Sequence, residues 1–163
     1  MDRIEIIATY LTYGFKALRC AGYNPACNQM QDKEKRYKRA KEAIDKGFTE
    51  KKYQGLTVPE IESWEKTGGW VGWLIPQGYI AIDVEEPEGI KYIETLCKQK
   101  GIRPSVHITN RGKHFFFRTD KTLSGSSEVY LKCGFMVTYR VGGKNYLILA
   151  PTNGRSWEVP LNE

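Results

Sequence analysis

The chain has 163 residues, 40% hydrophobic and 27% charged, with a net charge of +6. This composition fits one globular domain with a real core, and no apolar run reaches the ~20 residues a membrane-spanning helix needs. The basic balance argues for a polyanionic partner and is compatible with nucleic acid. The four cysteines (Cys20, Cys27, Cys97 and Cys133) are too scattered for zinc knuckles. They read as reduced thiols of a cytoplasmic protein, and no secretory pattern opens the chain.

Residues 4–16 place Ile4, Ile7, Leu11 and Phe15 on one helical face, with Gly14 as a stop. A brief strand is expected at 15–18, and 22–31 is rich in turn formers. Residues 32–46 read as a charged helix, with Lys33, Lys35, Arg36, Lys38, Arg39, Lys41 and Lys46 set against four acids. A solvated face is the default account of such a run, and its positive surplus also suits a phosphate backbone. Thr57 then opens a short helix, with Pro59 in its first turn and Glu60 completing a capping pattern. Gly68-Gly69 ends that helix, and 70–75 reads as a buried strand. Trp64, Trp70 and Trp73 are expected to pack the core.

The stretch from Tyr79 to Pro87 carries the first concentrated chemistry. Tyr79-Ile80-Ala81-Ile82 favours a strand, which runs into Asp83-Val84-Glu85-Glu86 before proline starts a helix. Alternation sends Asp83 and Glu85 out of one face while Val84 returns to the core. Two such carboxylates raise each other's pKa unless a cation lies between them, and they suit Mg²⁺ or Mn²⁺. The bland alternative is a solvated strand end.

Residues 87–100 form an amphipathic helix with Ile90, Ile93, Leu96 and Cys97 facing inward, closed by Gly101. Strands are expected at 105–109 and 114–118, around a turn at 110–112 that brings Arg111 and Lys113 beside His114. Two cations and a histidine next to a tight glycine turn make an anion-binding hairpin, competing with a purely structural histidine. A polar loop at 119–127, strands at 128–132, 135–141 and 145–150, a turn at 151–154 and a closing strand at 157–159 complete an α/β (α+β) pattern.

These motifs resemble the primase–polymerase domains of phage and plasmid replication proteins, in the archaeo-eukaryotic primase superfamily. That family carries an Asp-x-Asp/Glu at a strand end, then a small-x-His motif, then a third acid on a later strand. Asp83-Val84-Glu85 and Gly112-Lys113-His114 match the first two in type and order. The Pro-Glu-Ile-x-x-Trp helix at 59–64 and the Gly-Gly…Ala-Pro stretch at 142–151 extend the likeness. The third motif departs: the family's Val-Asp-x-Arg reads Val137-Thr138-Tyr139-Arg140 here, so Thr138 stands where an acid is expected.

The resemblance implies an N-terminal α/β unit (1–78) packed on an RRM-like, mostly antiparallel catalytic sheet (79–163). It implies template-directed nucleotidyl transfer in DNA replication, within a bacterial or archaeal host cell. Asp83 and Glu85 would hold Mg²⁺ or Mn²⁺, and His114, Arg111 and Lys113 would bind the NTP or dNTP. Single-stranded DNA template and a helicase are the implied partners. Without an acid at Thr138, Glu86 or Glu128 can substitute, or one ion can suffice for binding. A catalytically degenerate relative that binds nucleotide or nucleic acid, and a metal-dependent nuclease, are the alternative readings.

Overall fold

The computed structural model describes residues 2–123, 125, 127–132 and 134–161. Cys133, and Ser124 and Ser126 of the expected polar loop, lie outside these residues. In chain order the elements are α1 (Arg3–Thr12), β1 (Lys16–Cys20), α2 (Lys33–Ala40), α3 (Val58–Lys66), β2 (Trp70–Leu74), β3 (Tyr79–Val84) and α4 (Pro87–Lys100). Then follow β4 (Ser105–Ile108), β5 (Lys113–Arg118), β6 (Ser127–Tyr130), β7 (Met136–Val141), β8 (Tyr146–Ile148), a one-turn 3-10 helix (Thr152–Gly154) and β9 (Ser156–Val159).

The strands form two antiparallel sheets, so the α+β expectation holds at that level. One has three strands in the order β1-β2-β8, and the other six in the order β6-β7-β3-β5-β4-β9. The small sheet draws on both sides of residue 78, since β8 from the C-terminal half completes it beside β1 and β2.

The large sheet buries both faces. On the back, Val84, Val106, Phe115 and Val137 pack with Ile93 and Cys97 of α4. On the front, Ala81 and Phe116 join Ile7, Tyr10, Phe15 and Trp73 in a core shared with the small sheet. Each large apolar side chain buried this way contributes about 1.5–3 kcal/mol. The tryptophan expectation is met in the core: Trp70 and Trp73 are buried, and Trp64 Nε1 donates to the carbonyls of Cys20 and Trp70, both at 3.0 Å. Among the described residues no helix is long and apolar enough to cross a membrane.

Three helix expectations need correction. In α1 the buried positions are Ile7 and Tyr10, while Ile4 is 71% exposed and Leu11 is also exposed. Tyr10 turns inward because its hydroxyl donates to the Ala150 carbonyl at 2.9 Å and accepts from Trp157 Nε1 at 2.7 Å. The charged helix stops at Ala40 instead of residue 46. Backbone groups just beyond it pair with the β1 edge and its continuation: Ala21 N–H donates to Glu42 at 2.9 Å and Ile44 N–H to Arg19 at 2.8 Å. In α4, Leu96 is exposed, while Ile93 and Cys97 are buried in the core and Ile90 packs partly buried against it.

Two glycines are required by close approach. A Cβ on Gly112 would lie 2.1 Å from the Val84 carbonyl oxygen and 2.7 Å from Glu85 Cα. One on Gly142 would lie 2.0 Å from the Pro76 carbonyl oxygen. The first contact presses the start of β5 against the acidic end of β3, so it fixes the geometry of the site. Gly112→Ala is expected to destabilise the fold by about 1–3 kcal/mol in urea unfolding, because backbone must shift to admit the methyl group. Unchanged stability would mean that this approach is not tight.

Candidate functional site

Strand pairing assembles the site as one row across the large sheet. Asp83 on β3 lies opposite His114 on β5 and, on its other side, opposite Thr138 on β7. His114 lies opposite His107 on β4, which pairs with Trp157 on β9. Thr138 lies opposite Glu128 on β6. Directly opposed residues of antiparallel strands project from the same face. The row Trp157–His107–His114–Asp83–Thr138–Glu128 therefore faces the side occupied, two residues away along β3, by the Ala81–Phe116 core.

Beyond that core the two sheets enclose a cleft of about 340 Å³. Asp83 and His114 line it from the large sheet and Glu85 from just beyond β3, with Arg111 from the β4–β5 turn and Arg140 from β7. Lys144 and Arg155 line it from the segments flanking β8, and Tyr37, Lys41 and Phe48 complete its walls. Five cationic side chains thus meet two carboxylates. Of the expected site residues, Asp83, Glu85, Arg111 and His114 come together here.

Lys113 does not join them. It neighbours His114 on β5 and so projects to the other face. There its ammonium pairs with Glu94 at 2.8 Å and Glu158 at 2.5 Å, on the face away from the cleft. Glu86 is the exposed N-cap residue of α4 and does not line the cleft, whereas Glu128 shares the Asp83 row.

The electrostatics centre on Asp83. Burial pushes its carboxyl up, but contact with His114 and the charges of Arg140 and Arg155 outweigh burial and hold it below the usual carboxylate value. The His114 Nε2 to Asp83 Oδ1 distance is 3.6 Å, so this contact is electrostatic and longer than a normal hydrogen bond. Arg155 is only 9% exposed and gives its donors to neutral acceptors: Asn110 Oδ1 and the Tyr37 hydroxyl, both at 3.2 Å, and the Ile148 carbonyl. Among the described residues, Arg140 Nε is buried with no hydrogen-bond partner. A buried guanidinium satisfied only by neutral groups, beside an orphaned guanidinium donor, is an electrostatic environment suited to an anion.

His107 is fully buried, and burial together with the charges of His114 and Arg155 pushes its pKa down to about 2. Its Nε2 accepts the Ala150 N–H at 2.9 Å, and its Nδ1 lies 3.2 Å from His114 Nδ1. The motifs singled out on sequence do not include His107 or Arg155. The pairing of His107 with His114 was implicit in the hairpin, since the turn at 109–112 sets those two opposite each other. Arg155 carries no local signal, because its neighbours come from distant segments.

For a divalent cation the donor set is Asp83 and Glu85. Among the described residues no group of three or more His, Cys, Asp or Glu side chains is arranged to hold a metal. Two carboxylates fit one hard ion whose remaining ligands are water and substrate oxygens, and do not by themselves fit two ions. In comparisons with known proteins, no family model, no curated protein and no solved structure matches the chain.

The depressed Asp83 value fixes the sign of a pH effect. Its contribution to stability is present above the unfolded carboxyl range near pH ~4 and is lost as pH falls through the lower folded value. Asp83→Asn is therefore expected to be less stable than the unmodified chain at neutral pH, with the gap closing in acid. Chemical denaturation across pH checks this, and a gap independent of pH would contradict it.

Proposed function

We propose that the cleft binds a nucleoside triphosphate with one Mg²⁺ or Mn²⁺, and that the protein is a primase–polymerase-like domain. The observation that carries this reading is the His114–Asp83–Thr138 row at the edge of a cleft lined by five cations. A triphosphate answers that positive surplus, with Arg111, Arg140 and Lys144 around its oxygens and Arg155 supplying field from behind. Asp83 and Glu85 hold the ion, which when bound supplies Lewis-acid polarisation of the phosphates.

The reaction is template-directed nucleotidyl transfer. A hydroxyl oxygen forms a bond to the α-phosphorus, the bond to pyrophosphate breaks, and the hydroxyl proton passes to water. The chain's residues orient the triphosphate and neutralise its charge. A single-stranded DNA template runs along the basic wall near α2, which contributes Tyr37 to the cleft, and a helicase is the partner for replication. Thr138 offers a neutral hydroxyl beside Asp83, so a second ion lacks its carboxylate and transfer is slow. This observation also favours the second reading, a relative that binds nucleotide without catalysis.

Titration of a fluorescent triphosphate with Mn²⁺ is expected to give saturable binding. The double variant Asp83→Asn/Glu85→Gln weakens it by about tenfold or more, since both anionic ligands are gone. In a template-dependent extension assay, Thr138→Asp is expected to raise the rate by about tenfold, equivalent to about 1.4 kcal/mol of barrier. Absence of nucleotide binding in the unmodified chain would overturn the proposal. Fast extension by the unmodified chain would instead assign the third acid to Glu128, the acid that shares the row.

A further inference from the structure

We infer that His107 is a positioning residue that locks His114 in a single tautomer, with its ring proton on Nε2 and directed at Asp83. The functional meaning of this lock rests on the nucleotide-site reading above, while its geometry stands apart from it.

The argument begins at Ala150. A backbone N–H is always a donor, and this one meets His107 Nε2 at 2.9 Å. That nitrogen must carry a lone pair, which puts the His107 proton on Nδ1. Nδ1 in turn faces His114 Nδ1 at 3.2 Å, where two ring nitrogens bond only if one of them is protonated. His107 supplies that proton, so His114 Nδ1 accepts and the His114 proton sits on Nε2, 3.6 Å from Asp83 Oδ1.

The reverse assignment would set two N–H groups against each other at Ala150, where His107 is 0% exposed and water cannot relieve the conflict. Turning either ring over would put carbon where nitrogen now makes its contact. Rotation is also hindered by packing. The two imidazoles stack at an interplanar angle of 17°, and Trp157 packs edge-on against His107 with ring centroids 4.9 Å apart. Ala150 is itself anchored, since its carbonyl accepts the Tyr10 hydroxyl at 2.9 Å.

The lock assigns His114 a different task from the one the sequence suggested. Its Nε2–H faces Asp83 Oδ1 at 3.6 Å, which puts the positive end of the imidazole dipole toward one carboxylate oxygen and leaves the other oxygen for a cation. Nδ1, facing His107, offers nothing to a phosphate. A fixed polar neighbour behind a metal-binding carboxylate biases its direction, as outer partners do at other metal sites.

The chain has only two histidines, so a long-range ¹H–¹⁵N correlation spectrum of the imidazoles contains two ring systems. Recorded without metal or nucleotide, it is expected to show one Nδ1–H ring, His107, and one Nε2–H ring, His114. In His107→Phe the remaining ring is expected to lose its fixed tautomer and give averaged nitrogen shifts. A His114 ring protonated on Nδ1 in the unmodified chain would overturn the inference. So would an unchanged Nε2–H ring in His107→Phe. Should that variant not fold, the unmodified spectrum decides alone, since the tautomer pair is read there directly. A chain with the expected tautomers that binds no triphosphate overturns the nucleotide reading only; the wrong tautomer in a chain that binds it overturns the lock only.

Discussion

A carboxylate on a central strand, facing a second protein layer, has to be compensated or it costs several kcal/mol of lost solvation. Asp83 is in that position: β3 is paired on both sides, to β5 and to β7, and a core row lies two residues away. Its compensation comes from all around it. The β4–β5 hairpin supplies His114, β7 supplies Arg140, and the segment before β9 supplies Arg155. Much of the architecture near the cleft serves this one charge. The Asn110 side chain, for instance, accepts from Arg155 Nε and from Asn153 Nδ2, both at 3.2 Å, tying the hairpin turn to the chain that carries Arg155.

The cleft exists because the same face of the large sheet changes character along the strands. At Ala81 and Phe116 the sheet is closed by the aromatic core under the small sheet. One pleat further, a rise of about 7 Å, the row becomes polar and the layers part. β8 sits at this seam, since it belongs to the small sheet while its flanking residues line the cleft. The close approach at Gly142, where β7 ends against Pro76, passes the chain from one sheet to the other. A triphosphate in the cleft would therefore touch both layers, and its binding would be coupled to how they pack.

The local parts of this arrangement were legible in the residues. A β-branched run ending in acids marked β3, proline and glycine bracketed α4, and capping patterns marked α3. The pairing of Asp83 with His114 follows from no local pattern, and neither does the place of Arg155. Both depend on which strands become neighbours, and that choice is made by the whole core. Side-chain direction explains other differences. Lys113 looked like a partner of His114 by proximity along the chain, yet adjacent strand residues point to opposite faces. The charged run at 32–46 keeps a helical pattern to its end, but its later backbone groups bond to the β1 edge and its continuation instead. His107 carries no signal in the alternation of its own strand; only its pairing across the turn sets it opposite His114.

Anomalous diffraction from crystals of the protein with Mn²⁺ and a non-hydrolysable nucleoside triphosphate tests the site most directly. The Asp83-centred site predicts a single manganese peak at Asp83 and Glu85, with phosphate density against Arg111, Arg140 and Lys144. A manganese peak away from Asp83, or a triphosphate seated outside this cleft, would contradict it.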